Sequence, residues 1–482
     1  MVKSNSPFIS RPLVWALTGL LWIILAKTTS AGLPELSNSR EIWIKEPVFD
    51  GHVYVWEAGQ EHSEAIVLVH GIGSNASNDW QPLVSVLASK FHVLALDLPG
   101  FGRSDKGNLL YSPKNYAAVI RYVADLLVGR PFSLIGHSMG GVVALRYAAS
   151  YPEDIRRLIV MDVPGILHRA AYTQSLVDTG IQMVPTFYPG QKQSLSRLAE
   201  DLLDQIVTKP IPATLILYSA WAREKILQGD PERIAAFAFV TEDFSNLLDK
   251  VEAPTLIIWG TRDRVAPVRT GRMLVSTLPH ARLKLLEGVG HVPMREYPRG
   301  LTRIILEELD RVSSPEKSNN TLNKESRDAS EILQTPSVVT CANTSHRVFE
   351  GVYERIKVLN CQSVVLKNVR AESVYIIGSS VEIENSQIVG DSLALHVSQS
   401  QVTITSTIIE ADVALAIYDS RVDLAGVTLI GKTSAVTAIS EDQMGTTPRT
   451  PEIVIFSISS VSSPHTSGKL HGVYLVSPES PL

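Results

Sequence analysis

Ser138 lies in Gly136-His137-Ser138-Met139-Gly140, and this is the stretch most able to do chemistry. The apolar run Phe132-Ser133-Leu134-Ile135 before it reads as a buried strand, and Val142 to Ala149 after it reads as a helix. A strand-to-helix turn of the Gly-x-Ser-x-Gly type lifts a hydroxyl clear of a sheet edge, and the glycines let neighbouring backbone pass. The positive end of the following helix favours a developing oxyanion. A serine hydroxyl attacks a carbonyl only if a base takes its proton. His291, in Glu287-Gly288-Val289-Gly290-His291-Val292-Pro293, is the candidate base, since an imidazole titrates near neutrality and can take and return one proton.

Carboxylates able to orient that imidazole sit just after apolar runs. Asp263 lies 28 residues before His291, and Asp162 follows the preceding run as the rival acid. His70 and Asp97 also follow apolar runs; Asp97 belongs to an Asp-Leu-Pro-Gly-Phe-Gly turn that it is expected to hold together. Among the other histidines, His52, His62 and His280 read as solvated loop residues, and His137 as packing beside the turn without a chemical role.

The elements that must position these residues alternate between strand and helix from residue 40. Ile42-Trp43-Ile44 and Val53 to Trp56 read as a hairpin around Asp50-Gly51. Ala65–Val69, Val93–Leu96, Leu158–Met161, Thr255–Trp259 and Leu283–Leu286 are apolar without alternation, as strands buried on both faces should be. Helical patterns such as Tyr116 to Leu127 separate them. The expected fold is α/β, a doubly wound and mostly parallel sheet, with its site beyond the carboxyl ends of the strands.

Val67-Leu68-Val69-His70-Gly71-Ile72-Gly73, Leu96 to Ser104, the Ser138 turn, Gly260 to Pro267 and Gly288-Val289-Gly290-His291 together resemble the α/β-hydrolase family over residues 40–312. The resemblance implies Ser138 as nucleophile, His291 as base, Asp263 as its acid partner, and an oxyanion hole from the backbone N–H groups of Ile72 and Met139. It implies a helical cap over about 165–250, where the strand signal stops and 195–206 and 231–239 look helical. The cap's Leu, Ile, Phe, Tyr and Trp residues suit an apolar acyl substrate, and equally the cap's own core. A serine nucleophile disfavours dehalogenase- and epoxide-hydrolase-like chemistry. The implied activity is hydrolysis of carboxylic esters, including small-molecule or lipid esters. Carbon–carbon bond hydrolysis and a cofactor-free haloperoxidase-like route are the enzyme alternatives, and an envelope scaffold with a vestigial hydrolase domain is the non-enzyme alternative.

At the N-terminus, Lys3 and Arg11 precede an uncharged run from Leu13 to Ala26, followed by Lys27 and small residues. Residues 1–31 read as a secretory signal peptide or an uncleaved membrane anchor, and either implies export. Residues 313–337 are polar and aperiodic and read as a linker. Beyond them helix signals vanish. Ser379-Ser380-Val381-Glu382-Ile383 returns as Ser400-Gln401-Val402-Thr403-Ile404 and Ser420-Arg421-Val422-Asp423-Leu424, at steps of 21 and 20 residues. Ala394, Ala414 and Ala435 keep nearly the same step. Residues 338–482 therefore read as an all-β domain of parallel β-helix type, with an antiparallel sandwich as the alternative. Such a domain suits attachment to an envelope partner or a glycan.

Cys341 and Cys361 are 20 residues apart, so equivalent places on successive coils would make them a candidate disulfide, against a pair of buried thiols. Two cysteines in 482 residues exclude a disulfide-rich scaffold and a cysteine-based zinc finger. A net charge of -5 provides no basic field for nucleic acid. No metal cluster is legible, no phosphate-cradling loop is present, and no cofactor is expected.

Overall fold

The computed structural model describes residues 39–73, 75–129, 131–168, 170–171, 213–311, 337–439 and 452–482. The N-terminal segment 1–31, the helix expected at 195–206 and all of the linker except Ser337 lie outside the described residues. No helix among the described residues is long and apolar enough to cross a membrane.

The first sheet holds β1 (Ser39–Lys45), β2 (His52–Ala58), β3 (Ala65–Val69), β4 (His92–Asp97), β5 (Phe132–His137), β6 (Ile155–Met161), β7 (Thr255–Gly260) and β8 (Ala281–Leu286) in the order β1-β2-β4-β3-β5-β6-β7-β8. β2 runs antiparallel to β1 and β4, and every other pair is parallel. The unbroken apolar runs have the cause expected of them. Val67 and Val69 enter one apolar core, whereas Ile66 and Leu68 enter the other; Leu158 and Val160 are likewise split from Ile159 and Met161.

Helices cover both faces. α1 (Gln81–Leu87) and, later in the chain, the helix Pro298–Leu309 seal one core. α2 (Pro113–Leu127), α3 (Met139–Ser150) and the helix Val268–Thr277 seal the other. Start signals are local: Ser112 caps α2 by accepting from the Asn115 N–H at 3.2 Å, with Pro113 in the first turn. The described part of the cap consists of α4 (Ala213–Leu217), α5 (Ala220–Leu227) and α6 (Pro231–Val240). α7 (Val268–Thr277) follows β7, and α8 (Pro293–Glu296) and α9 (Pro298–Leu309) end the hydrolase-type unit.

The second sheet comprises β9 (Ser337–Ala342), β10 (Val348–Leu359), β11 (Val364–Ile377), β12 (Ser380–Glu384), β13 (Gln387–Val389), β14 (Leu393–Ser398), β15 (Gln401–Thr405), β16 (Ile408–Tyr418), β17 (Arg421–Ala425), β18 (Thr428–Ala438), β19 (Glu452–Ser462) and β20 (Ser467–Val476). Only β19 and β20 pair antiparallel; the rest forms an all-β domain of parallel strands closing into a barrel-like stack. Val381, Val402, Val422 and Val454 align in one buried column, and Ile383, Ile404, Leu424 and Phe456 in another. The repeated serines have a structural task. The N–H of Cys361 donates to Ser379 Oγ at 2.9 Å, Ser379 N–H to Ser400 Oγ at 3.0 Å, and Ser400 N–H to Ser420 Oγ at 3.1 Å. Each corner before them is turned by a residue with positive φ: Asn360, Gly378, Gln399 and Asp419.

That column corrects the expected equivalence of the two cysteines. Cys361 belongs with the serines, whereas Cys341 pairs with Val358, on the other side of the corner. The first coil is shorter than the later ones, so a 20-residue spacing does not place them in register. Their buried sulfurs nevertheless converge to 2.8 Å.

The two units pack together. Ala425, Ile455 and Ile458 are part of the same buried apolar cluster as α2, α3 and α7.

Candidate active site

β5 ends in the tight turn that the glycine spacing implied. Ser138 has φ 52° and ψ -122°, a conformation L-residues avoid and one that costs of order 1–3 kcal/mol. The glycines around it are there for space. A Cβ on Gly136 would lie 2.2 Å from the Gly140 carbonyl oxygen, and one on Gly140 would lie 2.2 Å from that of Val69. α3 starts at Met139, whose N–H is one that a helix leaves without an intrahelical acceptor. The loop after β3 passes the same point: a Cβ on Gly71 would come within 2.9 Å of Ser138 Cβ. Ile72, the other expected oxyanion donor, follows on that loop.

His291 comes from the loop between β8 and α8. Its Nε2 lies 3.0 Å from Ser138 Oγ, and its Nδ1 lies 2.8 Å from Asp263 Oδ2. The acid sits in the turn after β7, with its side chain wholly buried. Its second oxygen, Oδ1, accepts from the N–H groups of Val265 at 2.7 Å and Ala266 at 3.0 Å. Such donors hold the carboxylate in one rotamer.

Asp162, the rival acid, does not touch His291. It follows β6 directly, with φ 49°, and its Oδ1 accepts from the Gly260 N–H at 2.8 Å. Its Oδ2 is buried, and the carboxyl lies beside that of Asp263. Burial, followed by the negative charge of Asp263, raises its pKa well above the usual carboxylate range. This environment favours the neutral form of the carboxyl over the charged one.

The remaining nominees are scaffolding. His70 is fully buried, and its Nδ1 donates to the Gly71 carbonyl at 2.6 Å. Its Nε2 accepts from the Leu98 N–H at 2.9 Å, tying two loops of the site together. Burial lowers its pKa, in keeping with a neutral ring. Asp97 accepts from the N–H groups of Ser77 and Arg103 and so holds its turn.

Two contributors were not legible in the sequence. His137 Nε2 donates to the His291 carbonyl at 2.6 Å, and burial, then the neighbouring His291, lowers its pKa to about 3. Glu296 accepts from the Gly290 N–H at 2.7 Å and the Val292 N–H at 3.3 Å, which pins the loop on either side of His291. A glutamate five residues after the histidine, at the end of the short helix α8, is a weak local cue. Among the described residues no group of three or more His, Cys, Asp and Glu side chains could hold a metal ion.

The sequence profile of the alpha/beta hydrolase family matches residues 66–304. An uncharacterized protein of Mycobacterium tuberculosis is 32% identical over 259 residues, covering 50% of this chain and 74% of its own length. A 2-hydroxy-6-oxo-6-phenylhexa-2,4-dienoate hydrolase of Burkholderia cepacia is 28% identical over 288 residues, covering 57% of this chain and 97% of its own. The crystal structure of a membrane phospholipase A, described as a bacterial virulence factor, aligns with a TM-score of 0.43 at 26% identity, over 57% of this chain and 86% of that one. The profile match spans the segment that carries the Ser138 turn, the acid loop and His291, and by it and by the mycobacterial relative the chain belongs to the alpha/beta hydrolase family.

Proposed function

We propose that the protein is a serine hydrolase of carboxylic esters, acting through an acyl-enzyme on Ser138. The observation that carries this reading is the continuous hydrogen-bonded array from Ser138 Oγ through His291 to Asp263. Ser138 attacks the ester carbonyl while His291 Nε2 takes its proton, and Asp263 stabilises the imidazolium that forms. The tetrahedral oxyanion is held by the N–H groups of Ile72 and Met139. His291 returns the proton to the departing alcohol, and water repeats the cycle on the acyl group. The bound Asp263 rotamer keeps the Nδ1–H tautomer in place, which leaves Nε2 free to accept.

The test is hydrolysis of nitrophenyl esters of short and long acyl chains by the wild-type chain and Ser138→Ala. Full turnover by a folded Ser138→Ala protein overturns the mechanism. A second reading, carbon–carbon bond hydrolysis, is favoured by the 27–28% identity to relatives named as 2-hydroxy-6-oxo-dienoate hydrolases. Turnover of such a dienoate with no ester cleavage would select it. We further propose export, supported by the basic start and the apolar run at 13–26. N-terminal sequencing of the protein from its native source distinguishes a cleaved signal from a retained anchor.

A further inference from the structure

The C-terminal domain touches the hydrolase unit at a position with a direct line to the acid. Arg269 lies in the first turn of α7, and its guanidinium reaches into the stacked strands. It pairs bidentately with Asp423 on β17, at 2.7 and 3.0 Å. It also donates to Thr405 Oγ1 at 2.8 Å and to the carbonyls of Ile404 and Asp423, both at 3.1 Å. Both partners of the ion pair are almost buried, with side chains 12% and 13% exposed. This is far from a surface pair of small worth, because a planar fork meets a carboxylate and two carbonyls at once.

The rest of α7 is held the same way. Arg272 pairs with the buried Glu384, and the Arg272 carbonyl accepts from Ser406 Oγ at 3.0 Å. At Gly426 the approach is so close that an added Cβ would lie 2.5 Å from Ser276 Oγ and 2.9 Å from Met273 Cγ. Ile458, a β-branched residue at φ 46°, is buried in the cluster shared with the hydrolase unit. A strained conformation at a contact persists only where the surroundings hold it.

α7 begins where the acid loop ends. Pro267 is its N-cap, and the preceding residue, Ala266, gives its N–H to Asp263 Oδ1 and its carbonyl to Trp259 Nε1 at 3.0 Å. The connection therefore runs from Asp423 to Arg269, back through Val268 and Pro267 at the head of α7 to the Ala266 N–H, and from there to the carboxylate that faces His291. We infer that the C-terminal domain is a positioning element of the hydrolase site, and that Arg269 acts as a positioning residue for Asp263 through its clamp on Asp423. This rests on the serine-hydrolase reading of the site. It also gives the added domain a task within the enzyme rather than outside it.

The experiment is a set of full-length variants, Arg269→Ala, Asp423→Asn and Arg269→Lys, each alone and combined with Asp263→Asn. With nitrophenyl acetate, Arg269→Ala and Asp423→Asn should lose roughly 10- to 100-fold in kcat with KM little changed, the scale of an ångström-sized misplacement. Arg269→Lys should recover part of the loss. In the Asp263→Asn background the same changes should cost nothing further, because the residue they position is already disabled. A second readout is independent of the substrate: the downfield proton resonance of the His291 Nδ1–H bonded to Asp263 should broaden or vanish in Arg269→Ala and Asp423→Asn. Variants that fold, keep that resonance and keep kcat within about twofold overturn the inference, as do losses that add to that of Asp263→Asn. Failure of the serine-hydrolase reading would show separately, as an inactive wild-type chain or an active Ser138→Ala. If Arg269→Ala does not fold, Asp423→Asn, which preserves shape, decides the matter.

Discussion

Replacing Asp263 by asparagine changes one atom, and the surroundings of that carboxylate dictate the consequence. Oδ1 accepts two backbone N–H groups, from Val265 and Ala266, so the amide oxygen must stay there. The amide NH2 then takes the place of Oδ2 and points a donor at His291 Nδ1, which is itself a donor in the active tautomer. Turning the amide over would strand two N–H donors, at about 1–3 kcal/mol each. The cheaper response is for His291 to move its proton to Nε2. It then presents N–H to Ser138 and can no longer take the serine proton. The expected loss is roughly 10³–10⁴ in kcat, about 4–5.5 kcal/mol of transition-state stabilisation. KM should change little, since substrate contacts are untouched.

Asp162→Asn is the control. Burial and the negative charge of Asp263 favour the neutral form of Asp162, which the amide mimics, so this variant should stay within about tenfold of wild type. The assay is steady-state hydrolysis of nitrophenyl acetate by all three proteins, with folding checked by circular dichroism. A folded Asp263→Asn within tenfold of wild type, together with a collapse in Asp162→Asn, would refute the reasoning and move the acid to Asp162.

Four further outcomes can be checked. The raised pKa of Asp162 means that its contribution to stability is complete below the unfolded carboxylate pKa of about 3.9 and is lost as pH rises toward the folded value; the urea-midpoint gain of Asp162→Asn over wild type should therefore widen as pH rises above about 3.9, and a constant gap rejects this. His137 is depressed from 6.5 to about 3, so its contribution is complete above pH 6.5 and declines as pH falls through that window; His137→Gln should lower the acid-unfolding midpoint, and an unmoved midpoint counts against a buried neutral ring. Gly140→Ala pushes a methyl onto the Val69 carbonyl and should lower stability by about 1–3 kcal/mol along with fluorophosphonate labelling of Ser138; normal melting and labelling would show that the turn tolerates it. On the export proposed above, the Cys341 and Cys361 sulfurs are close enough to be joined by a thiol oxidant; alkylation of the denatured, unreduced native protein should add no label, and two labels would show that the thiols stay free.

Much of the hydrolase unit could be read from the chain because its signals are local. A buried parallel strand is apolar throughout, a Gly-x-Ser-x-Gly turn needs small residues at fixed offsets, and stacked coils repeat Val381, Val402 and Val422 in step. Asp263 and Asp162 looked alike in sequence, each an aspartate just past a strand. The family resemblance ranked Asp263 first, and the fold supplies the physical reason: it gives Asp263 two loop N–H donors and the imidazole while burying Asp162 behind it. The roles of His137 and Glu296 depend on loops brought together by β5, β8 and α8, and no spacing rule encodes that meeting. The cysteines show the limit of periodicity: a 20-residue step predicted equivalence, but the coils differ in length, and a backbone corner, not register, brings the sulfurs together. The clamp of Arg269 on Asp423 spans 154 residues. Its partners are ordinary surface residue types until packing removes the water between them, so only tertiary structure could decide that the C-terminal domain grips the helix behind the acid.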